Sequence, residues 1–241
     1  MNEKRPLAIV GEGISEVCRR SLCERGFEVI CLPPYYRLGK EVSTHADLML
    51  LPLDGRLFVY GELADLSPEL MLSVEERGIE VVRVEGHPTA SYPGDIALNC
   101  LVVGKYIFCK KDRIARELSE YAESSGYTIV NTKQGYARCT ACPASDRAII
   151  TADPSMRSAA LSVGLEVLDV SVGGVVLCGY DYGFIGGACG VFGGRLYFAG
   201  NIHLHPDGER IEEFCHRHGM EVVSLSSEPL LDVGSIFFVG Q

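Results

Sequence analysis

The sequence contains no cluster of lysine and arginine residues. Its 22 Lys and Arg are outnumbered by 32 Asp and Glu, which gives a formal net charge of −10 at pH 7 and a sequence pI near 5.1. Recognition of nucleic-acid phosphates needs clustered basic side chains. We therefore predict that the protein does not bind nucleic acid, whereas a small cationic ligand would suit its acidic balance.

Long hydrophobic runs are also missing. The N-terminal segment MNEKRPLAIVGEG has an apolar run of only four residues, which is too short for the core of a signal peptide, and a membrane span needs about 20 apolar residues. These features predict a cytoplasmic protein without a membrane partner. Because the chain is large and has no export signal, its ten cysteines are predicted to be reduced rather than paired in disulfides.

One sequence phrase occurs five times along the chain, as in RGFEVICL, RGIEVVRV and HGMEVVSL. In each copy a glycine follows an amphipathic stretch and precedes a β-branched run, which is typical of a helix that ends in a left-handed cap before a strand. The pattern predicts five such transitions, at Gly26, Gly78, Gly126, Gly164 and Gly219. The preceding helices are predicted over residues 14–25, 66–77, 113–124, 154–163 and 208–217.

A hairpin pattern precedes each of the later helices, with turn signals such as Asp54-Gly55 and Gly193-Gly194 between two apolar runs. The predicted unit is strand, turn, strand, helix, strand. The first unit lacks a leading strand before LAIV, and the final segment LLDVGSIFFVG lacks a following helix, so pairing the two would close a ring without free edges. The predicted units are 47–84, 95–132, 140–170, 186–225, and 231–241 joined with 7–32, in a single domain spanning residues 1–241.

The alternative is a doubly wound nucleotide-binding sheet, suggested by LAIV followed by Gly11-Glu12-Gly13. That glycine motif is incomplete, since Glu16 stands where the third glycine should be. The hairpin in every unit also argues against this fold. We interpret Gly11 and Gly13 as a turn.

Five units of this kind resemble the penteins, the guanidine-modifying enzymes that include arginine deiminases, dimethylarginine dimethylaminohydrolases, agmatine deiminases and amidinotransferases. His45-Ala46-Asp47 is similar to their His-x-Asp motif, and Tyr92-Pro93-Gly94-Asp95 is a looser match to their glycine-acid motif. The resemblance implies a five-bladed α/β propeller closed by its terminal strands. It also implies a cysteine nucleophile, His45 as acid/base, and Asp47 and Asp95 as carboxylates that grip a guanidinium group. Asn99 and Tyr182 are further substrate-binding candidates, and we expect no cofactor.

Two positions compete for the nucleophile. Cys189 follows a glycine-rich run, Gly186-Gly187-Ala188, similar to the run before the family's cysteine. In the relatives, however, that cysteine lies near the chain end and two units beyond the histidine, and counting two units from His45 leads to Cys139. We rank Cys139 above Cys189 and Cys142 third, because ring position determines which side chains converge.

The loop 180–187 is rich in aromatic residues and glycine, and long loops in compact domains are often functional. It could cover an axial pocket, with Tyr180 and Tyr182 against a ligand. Our leading hypothesis is a hydrolase or transferase for a guanidine or amidine compound.

Two alternatives stay open from the sequence. One is a non-catalytic pentein that binds a small molecule or a protein, and self-association of the chain is compatible with either function. The other is a zinc-stabilised structural protein, in which Cys139-x-x-Cys142 would be completed by residues of the C-terminal region. The candidates there are His203, His205, Cys215, His216 and His218.

Overall fold

A computed structural model describes residues 4–240 of the chain. The helices are α1 Glu16–Glu24, α2 Gly61–Leu66, α3 Pro68–Glu75, α4 Arg116–Ser124, α5 Ala137–Thr140, α6 Pro154–Ser162 and α7 Gly208–Arg217, with 3₁₀ turns at Lys40–Val42, Ala46–Leu48 and Ile202–Leu204. The strands are β1 Leu7–Gly11, β2 Glu28–Leu32, β3 Leu50–Leu53, β4 Arg56–Tyr60, β5 Glu80–Val84, β6 Leu101–Val103, β7 Tyr106–Cys109, β8 Thr128–Asn131, β9 Ala141–Ser145, β10 Ala148–Thr151, β11 Glu166–Asp169, β12 Val175–Val176, β13 Cys189–Phe192, β14 Arg195–Phe198, β15 Glu221–Ser224, β16 Leu230–Leu231 and β17 Phe237–Val239. Among these residues, no helix has both the length and the apolar character needed to cross a bilayer.

Five small sheets of three strands share one plan. In each, a first strand pairs antiparallel with a central strand, and the central strand pairs parallel with a third strand that follows a helix. The sheets are β17-β1-β2, β3-β4-β5, β6-β7-β8, β9-β10-β11 and β13-β14-β15. The protein is therefore a mixed α/β protein of several small sheets, and the predicted order of strand, turn, strand, helix, strand is confirmed.

Local sequence explains this plan. The β3–β4 turn has positive φ at both Asp54 and Gly55, the backbone that a two-residue hairpin between twisted strands needs. Each of the five marker glycines also has a positive φ, which ends the preceding helix in a left-handed residue. The predicted helices are observed with slightly different ends; α1, for example, begins at Glu16 because the Ser15 side chain accepts the Cys18 N–H and caps it.

The two ends of the chain meet in one sheet. The strand β17 pairs antiparallel with β1, with Leu7 opposite Val239 and Ile9 opposite Phe237. This pairing of the N- and C-terminal strands was predicted from the part that each end lacks, and it is confirmed. It leaves β1 with a partner on both sides, since β2 pairs with its other edge.

Three features differ from the sequence prediction. Gly61–Leu66 forms an additional helix, α2, directly after β4, and β12 pairs with β16 in a sixth, two-stranded sheet. The strands predicted to start at Asp47, Asp95 and Thr140 begin later, at Leu50, Leu101 and Ala141. The residues before these strands bond to each other through side chains, so the chain turns there and does not continue the ladder.

The first strands of the five sheets face a common interior. A cavity of about 170 Å³ is lined by residues from every one of them: Leu51 and Pro52 from β3, Leu101 and Val102 from β6, Pro143 from β9, Val191 from β13, and Phe237 and Phe238 from β17. The segments that lead into these strands consequently approach one another at one end of this interior.

Candidate functional site

The residues just before the first strands converge although they lie far apart in the sequence. The Asp47 N–H donates to the Gly234 carbonyl (3.1 Å), and the Gly187 N–H donates to the Cys139 carbonyl (2.9 Å). The Arg138 N–H donates to the Asn99 side chain (2.8 Å). All five units therefore contribute to one site.

Cys139 lies at the centre of this site. It lies in the short helix α5 and is 4% exposed. Its thiol lies 3.1 Å from Asp47 Oδ2 and donates to it, while Asn99 Nδ2 donates to Cys139 Sγ at 3.0 Å. Burial raises the pKa of the Cys139 thiol, and the charges of Asp47 and Asp232 raise it further against the opposing hydrogen bond from Asn99. In the free protein the sulfur is therefore held as a thiol.

Asn99 is fixed in one orientation by bonds at both ends of its amide. Its Oδ1 accepts the Arg138 N–H, and its Nδ2 donates to the Asp47 carbonyl (3.2 Å) as well as to the Cys139 sulfur. Because the oxygen is committed to a backbone donor, the NH₂ group must face the sulfur. Asn99 thus lies behind the cysteine.

Asp47 is fully buried against the same sulfur. Ser235 Oγ donates to Asp47 Oδ2 at 2.6 Å, so this oxygen contacts both a hydroxyl and the thiol. The other oxygen, Oδ1, has no hydrogen-bond partner among residues 4–240. In the free protein Asp47 Oδ2 accepts a hydrogen bond from the thiol, and the resemblance implies a substrate contact for Asp47.

His45 and Asp232 form a second buried pair, with Nδ1 and Oδ1 3.9 Å apart. Asp232 Oδ2 accepts the Phe184 N–H (2.9 Å) and Oδ1 accepts the Gly234 N–H (3.1 Å). Burial raises the pKa of Asp232, and the positive charge available on His45 opposes that shift. The carboxylate is held beside the imidazole by two backbone donors.

Asp95 and Tyr136 form a hydrogen-bonded pair at the same site. The Tyr136 hydroxyl donates to Asp95 Oδ2 at 2.7 Å, while Asp95 Oδ1 is buried without a partner among the described residues. Burial raises the pKa of Asp95, against the hydrogen bond from Tyr136 that lowers it. A buried acceptor without a donor is unfavourable, so a ligand N–H at this oxygen would be stabilising.

These groups surround one cavity of about 360 Å³. Four of the candidates from the sequence line it, namely His45, Asp95, Cys139 and Tyr182, whereas Asp47 and Asn99 lie behind the sulfur. The remaining lining residues are Gly39, Val42, Leu48, Ala90, Tyr136, Leu177, Tyr180, Asp181, Phe184 and Asp232.

Sequence reasoning did not select Asp232, Tyr136 or Ser235. The terminal segment that contains Asp232 and Ser235 served only to predict the pairing of the chain ends. A usable signal was the position of Asp232 just before a first strand, which is equivalent to the positions of His45 and Asp95 in their units.

Cys189 is not among the residues that line this cavity. It is fully buried, its sulfur lies 3.3 Å from the Gly186 carbonyl, and Arg138 Nη1 lies 3.9 Å from it. Burial raises the pKa of Cys189, but a hydrogen bond from Cys142 and the charge of Arg138 outweigh burial, so the net shift is downward. Cys139, and not Cys189, lines the cavity that His45 also lines.

Close packing explains the glycine-rich run that drew attention to Cys189. A Cβ on Gly186 would lie 2.1 Å from the Arg138 carbonyl oxygen, and one on Gly187 would lie 2.0 Å from Asp232 Oδ1. The run leaves room for the Cys139 segment and for the Asp232 carboxylate. Its glycines therefore allow close packing against the neighbouring units and do not mark Cys189 as a nucleophile.

The residues considered for zinc are not gathered into one group. Among residues 4–240, no three or more His, Cys, Asp or Glu side chains are placed to hold a metal ion together. The Cys139 sulfur is engaged by Asp47 and Asn99, whereas the Cys142 sulfur lies 3.8 Å from the Pro143 carbonyl. The Cys-x-x-Cys spacing therefore does not produce a metal centre with the C-terminal histidines.

A family model matches residues 9–237 of the chain and is described as a family of unknown function, DUF6873. The chain belongs to the DUF6873 family. No curated protein matches this DUF6873 protein.

Solved structures show which fold the DUF6873 protein has. The amidinotransferase SxtG from Microseira wollei is 12% identical, with a TM-score of 0.57 over 96% of this chain and 95% of that one. The agmatine deiminase of C. jejuni is 8% identical, with a TM-score of 0.55 over 99% and 94%. A dimethylarginine dimethylaminohydrolase is 13% identical, with a TM-score of 0.52 over 92% and 93%. These are pentein proteins, so the predicted resemblance to the pentein superfamily is confirmed at the level of the fold.

Proposed function

We propose that this DUF6873 protein is a cysteine-dependent enzyme that modifies a guanidine or amidine compound, as a hydrolase or a transferase. We further propose that its five units form one domain, a pseudo-fivefold α/β propeller. The five sheets of equal plan and the pairing of β17 with β1 support this architecture. The named activities of the structural neighbours concern guanidine compounds.

The observation that carries the proposal is the convergence of Cys139, His45 and two carboxylates, Asp95 and Asp232, on one cavity. Guanidinium is a planar cation whose N–H groups suit carboxylate acceptors. The unpartnered Asp95 Oδ1 supplies such an acceptor inside the cavity wall. These are the residue types that binding and attack at a guanidinium carbon require.

Substrate binding also offers a way to activate the cysteine. In the free site, burial and nearby carboxylates raise the pKa of Cys139. A guanidinium cation beside the sulfur favours the thiolate and lowers that pKa. The nucleophile would therefore form mainly in the complex.

The chemical step follows from these roles. The thiol proton leaves Cys139 for His45, and the sulfur bonds to the guanidinium carbon. The carbon–nitrogen bond to the leaving amine then breaks as His45 returns the proton to that nitrogen. The remaining amidino group is carried on the sulfur as a thiouronium, which water hydrolyses in a hydrolase and an amine takes over in a transferase.

The test is turnover of arginine, agmatine and methylated arginines, measured as release of ammonia, amine or urea, with and without hydroxylamine as an amine acceptor. We expect activity to be lost in Cys139→Ser and reduced strongly in His45→Ala. The exposed Cys178 provides the matched control Cys178→Ser, which should retain full activity. Acid quenching should trap an amidino adduct on Cys139, detectable by peptide mass spectrometry. Unchanged turnover in Cys139→Ser would refute the assignment.

A second function, a non-catalytic pentein that binds a small cation, is favoured by the raised pKa of Cys139. For a binder, a neutral buried thiol would be a packing element. Such a protein would bind a guanidine ligand without turnover and with equal affinity in Cys139→Ser. The adduct on Cys139 therefore separates the two functions.

A further inference from the structure

The charged side chains that line the cavity have one sign. Three aspartates line it, Asp95, Asp181 and Asp232, together with His45. Among residues 4–240, no lysine or arginine lines it. A substrate in this cavity therefore meets acceptors along its length and no cationic side chain of the described residues.

The cavity has a buried end and an open end. His45, Asp95, Cys139 and Asp232 are each 4% exposed and form the buried end. Tyr180 and Tyr182 are 56% and 42% exposed, and Asp181 between them is also exposed. The reactive group of the substrate consequently lies inside, and its other end reaches the Tyr180–Tyr182 segment.

The residues at the open end favour a positively charged or neutral group of the substrate. Asp181 supplies a carboxylate, and the rings of Tyr180 and Tyr182 offer faces that attract cations. The acidic residue Glu41 packs against Gly179, which directly precedes this segment, since a Cβ on Gly179 would be 2.6 Å from Glu41 Cγ. A negative group placed here would meet like charges, which is unfavourable in a partly enclosed site.

The basic residues near the site either bond to other groups or do not line the cavity. The buried Arg138 guanidinium donates to the carbonyls of Gly186 (2.7 Å) and Cys189 (2.8 Å) and lies over the Phe237 ring. Arg37 donates to Glu62. Lys40 follows the lining residue Gly39 in sequence but does not line the cavity itself. The site therefore shows no clamp for a substrate carboxylate.

We infer that the substrate is a guanidine or amidine without a carboxylate, whose distal end is an amine or uncharged, as in a guanidinoalkylamine and not a guanidino amino acid. This inference rests on the proposed function. Asp181 is its specificity-determining residue at the open end, and Asp95 is its acceptor at the buried end.

Agmatine and arginine test this inference because they differ only by one carboxylate. Binding is measured by calorimetry on the Cys139→Ser protein, which prevents turnover. We expect agmatine to bind about tenfold or more tightly than arginine, equivalent to about 1.4 kcal/mol or more. In the Asp181→Asn background the preference should fall about two- to fivefold, as expected for an exposed charge pair.

Two matched variants control for general effects of charge. Asp146 is an exposed aspartate in the β9–β10 turn, so Asp146→Asn should leave the preference unchanged, and Lys40→Ala should do so as well. Arginine binding as tightly as agmatine, or a carboxylate affinity that depends on Lys40, would overturn the inference while leaving the proposed function standing. Failure of both ligands to bind or react would overturn both proposals.

Discussion

Substitution of Gly187 by alanine should displace the Asp232 carboxylate and thereby destabilise the site. A Cβ at this position would lie 2.0 Å from Asp232 Oδ1, whereas real Cβ contacts stay beyond 3.0 Å, so the carboxylate or the backbone must move by about 1 Å. Asp232 accepts the Phe184 N–H at 2.9 Å and the Gly234 N–H at 3.1 Å. A displacement of this size would stretch at least the bond from the Gly234 N–H to Oδ1 beyond hydrogen-bond range. Because one hydrogen bond to a charged group contributes about 1.5–3 kcal/mol and overpacking costs about 1–3 kcal/mol, we expect a loss of about 2.5–6 kcal/mol.

Urea unfolding of Gly187→Ala measures this loss directly. With a slope of about 3 kcal/mol/M, as expected for a chain of this length, the midpoint should fall by about 1–2 M. The control is Gly61→Ala, in which the nearest atom to the new Cβ is Arg83 Nη1 at 3.8 Å and the residue opens helix α2. Neither glycine has a left-handed φ, so the contact alone distinguishes them. A Gly187→Ala protein as stable as Gly61→Ala would refute the packing argument.

Two further predictions concern ionisable groups. Asn99→Ala removes the donor that lowers the pKa of Cys139, so alkylation of Cys139 by iodoacetamide should require a higher pH than in the parent protein. Peptide mass spectrometry measures this alkylation, with the exposed Cys178 as the reference. An unchanged or lower pH midpoint would contradict the role of Asn99. Glu62 accepts hydrogen bonds from Arg37 and Tyr35, which lower its pKa from 4.5 to about 2. Since the folded pKa is depressed, this stabilisation is present above about pH 4.5 and is lost as the pH falls toward 2. The stability difference between the parent protein and Glu62→Gln should therefore shrink over that range, and a difference that stays constant with pH would argue against it.

Much of the fold was predictable because its signals are local. A glycine after an amphipathic stretch ends a helix through its own backbone freedom, and an Asp-Gly turn sets a hairpin within four residues. Repetition then made the unit visible, and the unmatched ends predicted the pairing of β17 with β1. The sixth sheet, β12 with β16, could not be predicted in this way, because its two strands are only two residues long and lie far apart in the sequence.

The candidate site was only partly predictable because its contacts are between units. His45 and Asp95 were found through motifs, and Cys139 through its position two units beyond His45. Ser235 and Asp232 carry no local motif, yet Ser235 donates to Asp47 across 188 residues of sequence. The glycine run before Cys189 was misleading, since it serves close backbone approach and not the neighbouring cysteine.

The sequence by itself predicted the five repeated units and their strand order, because the signals within each unit lie within a few positions of one another. The meeting of the chain ends followed from the strand that each end lacks. The count of units ranked Cys139 above Cys189, but only the tertiary structure decided that the Cys139 thiol bonds to Asp47 and Asn99 beside the cavity that His45 lines, because these contacts join different units. It also decided the character of the cavity: the acidic composition of the whole chain says little about one pocket, whereas the convergence of Asp95, Asp181 and Asp232 gives that pocket its charge.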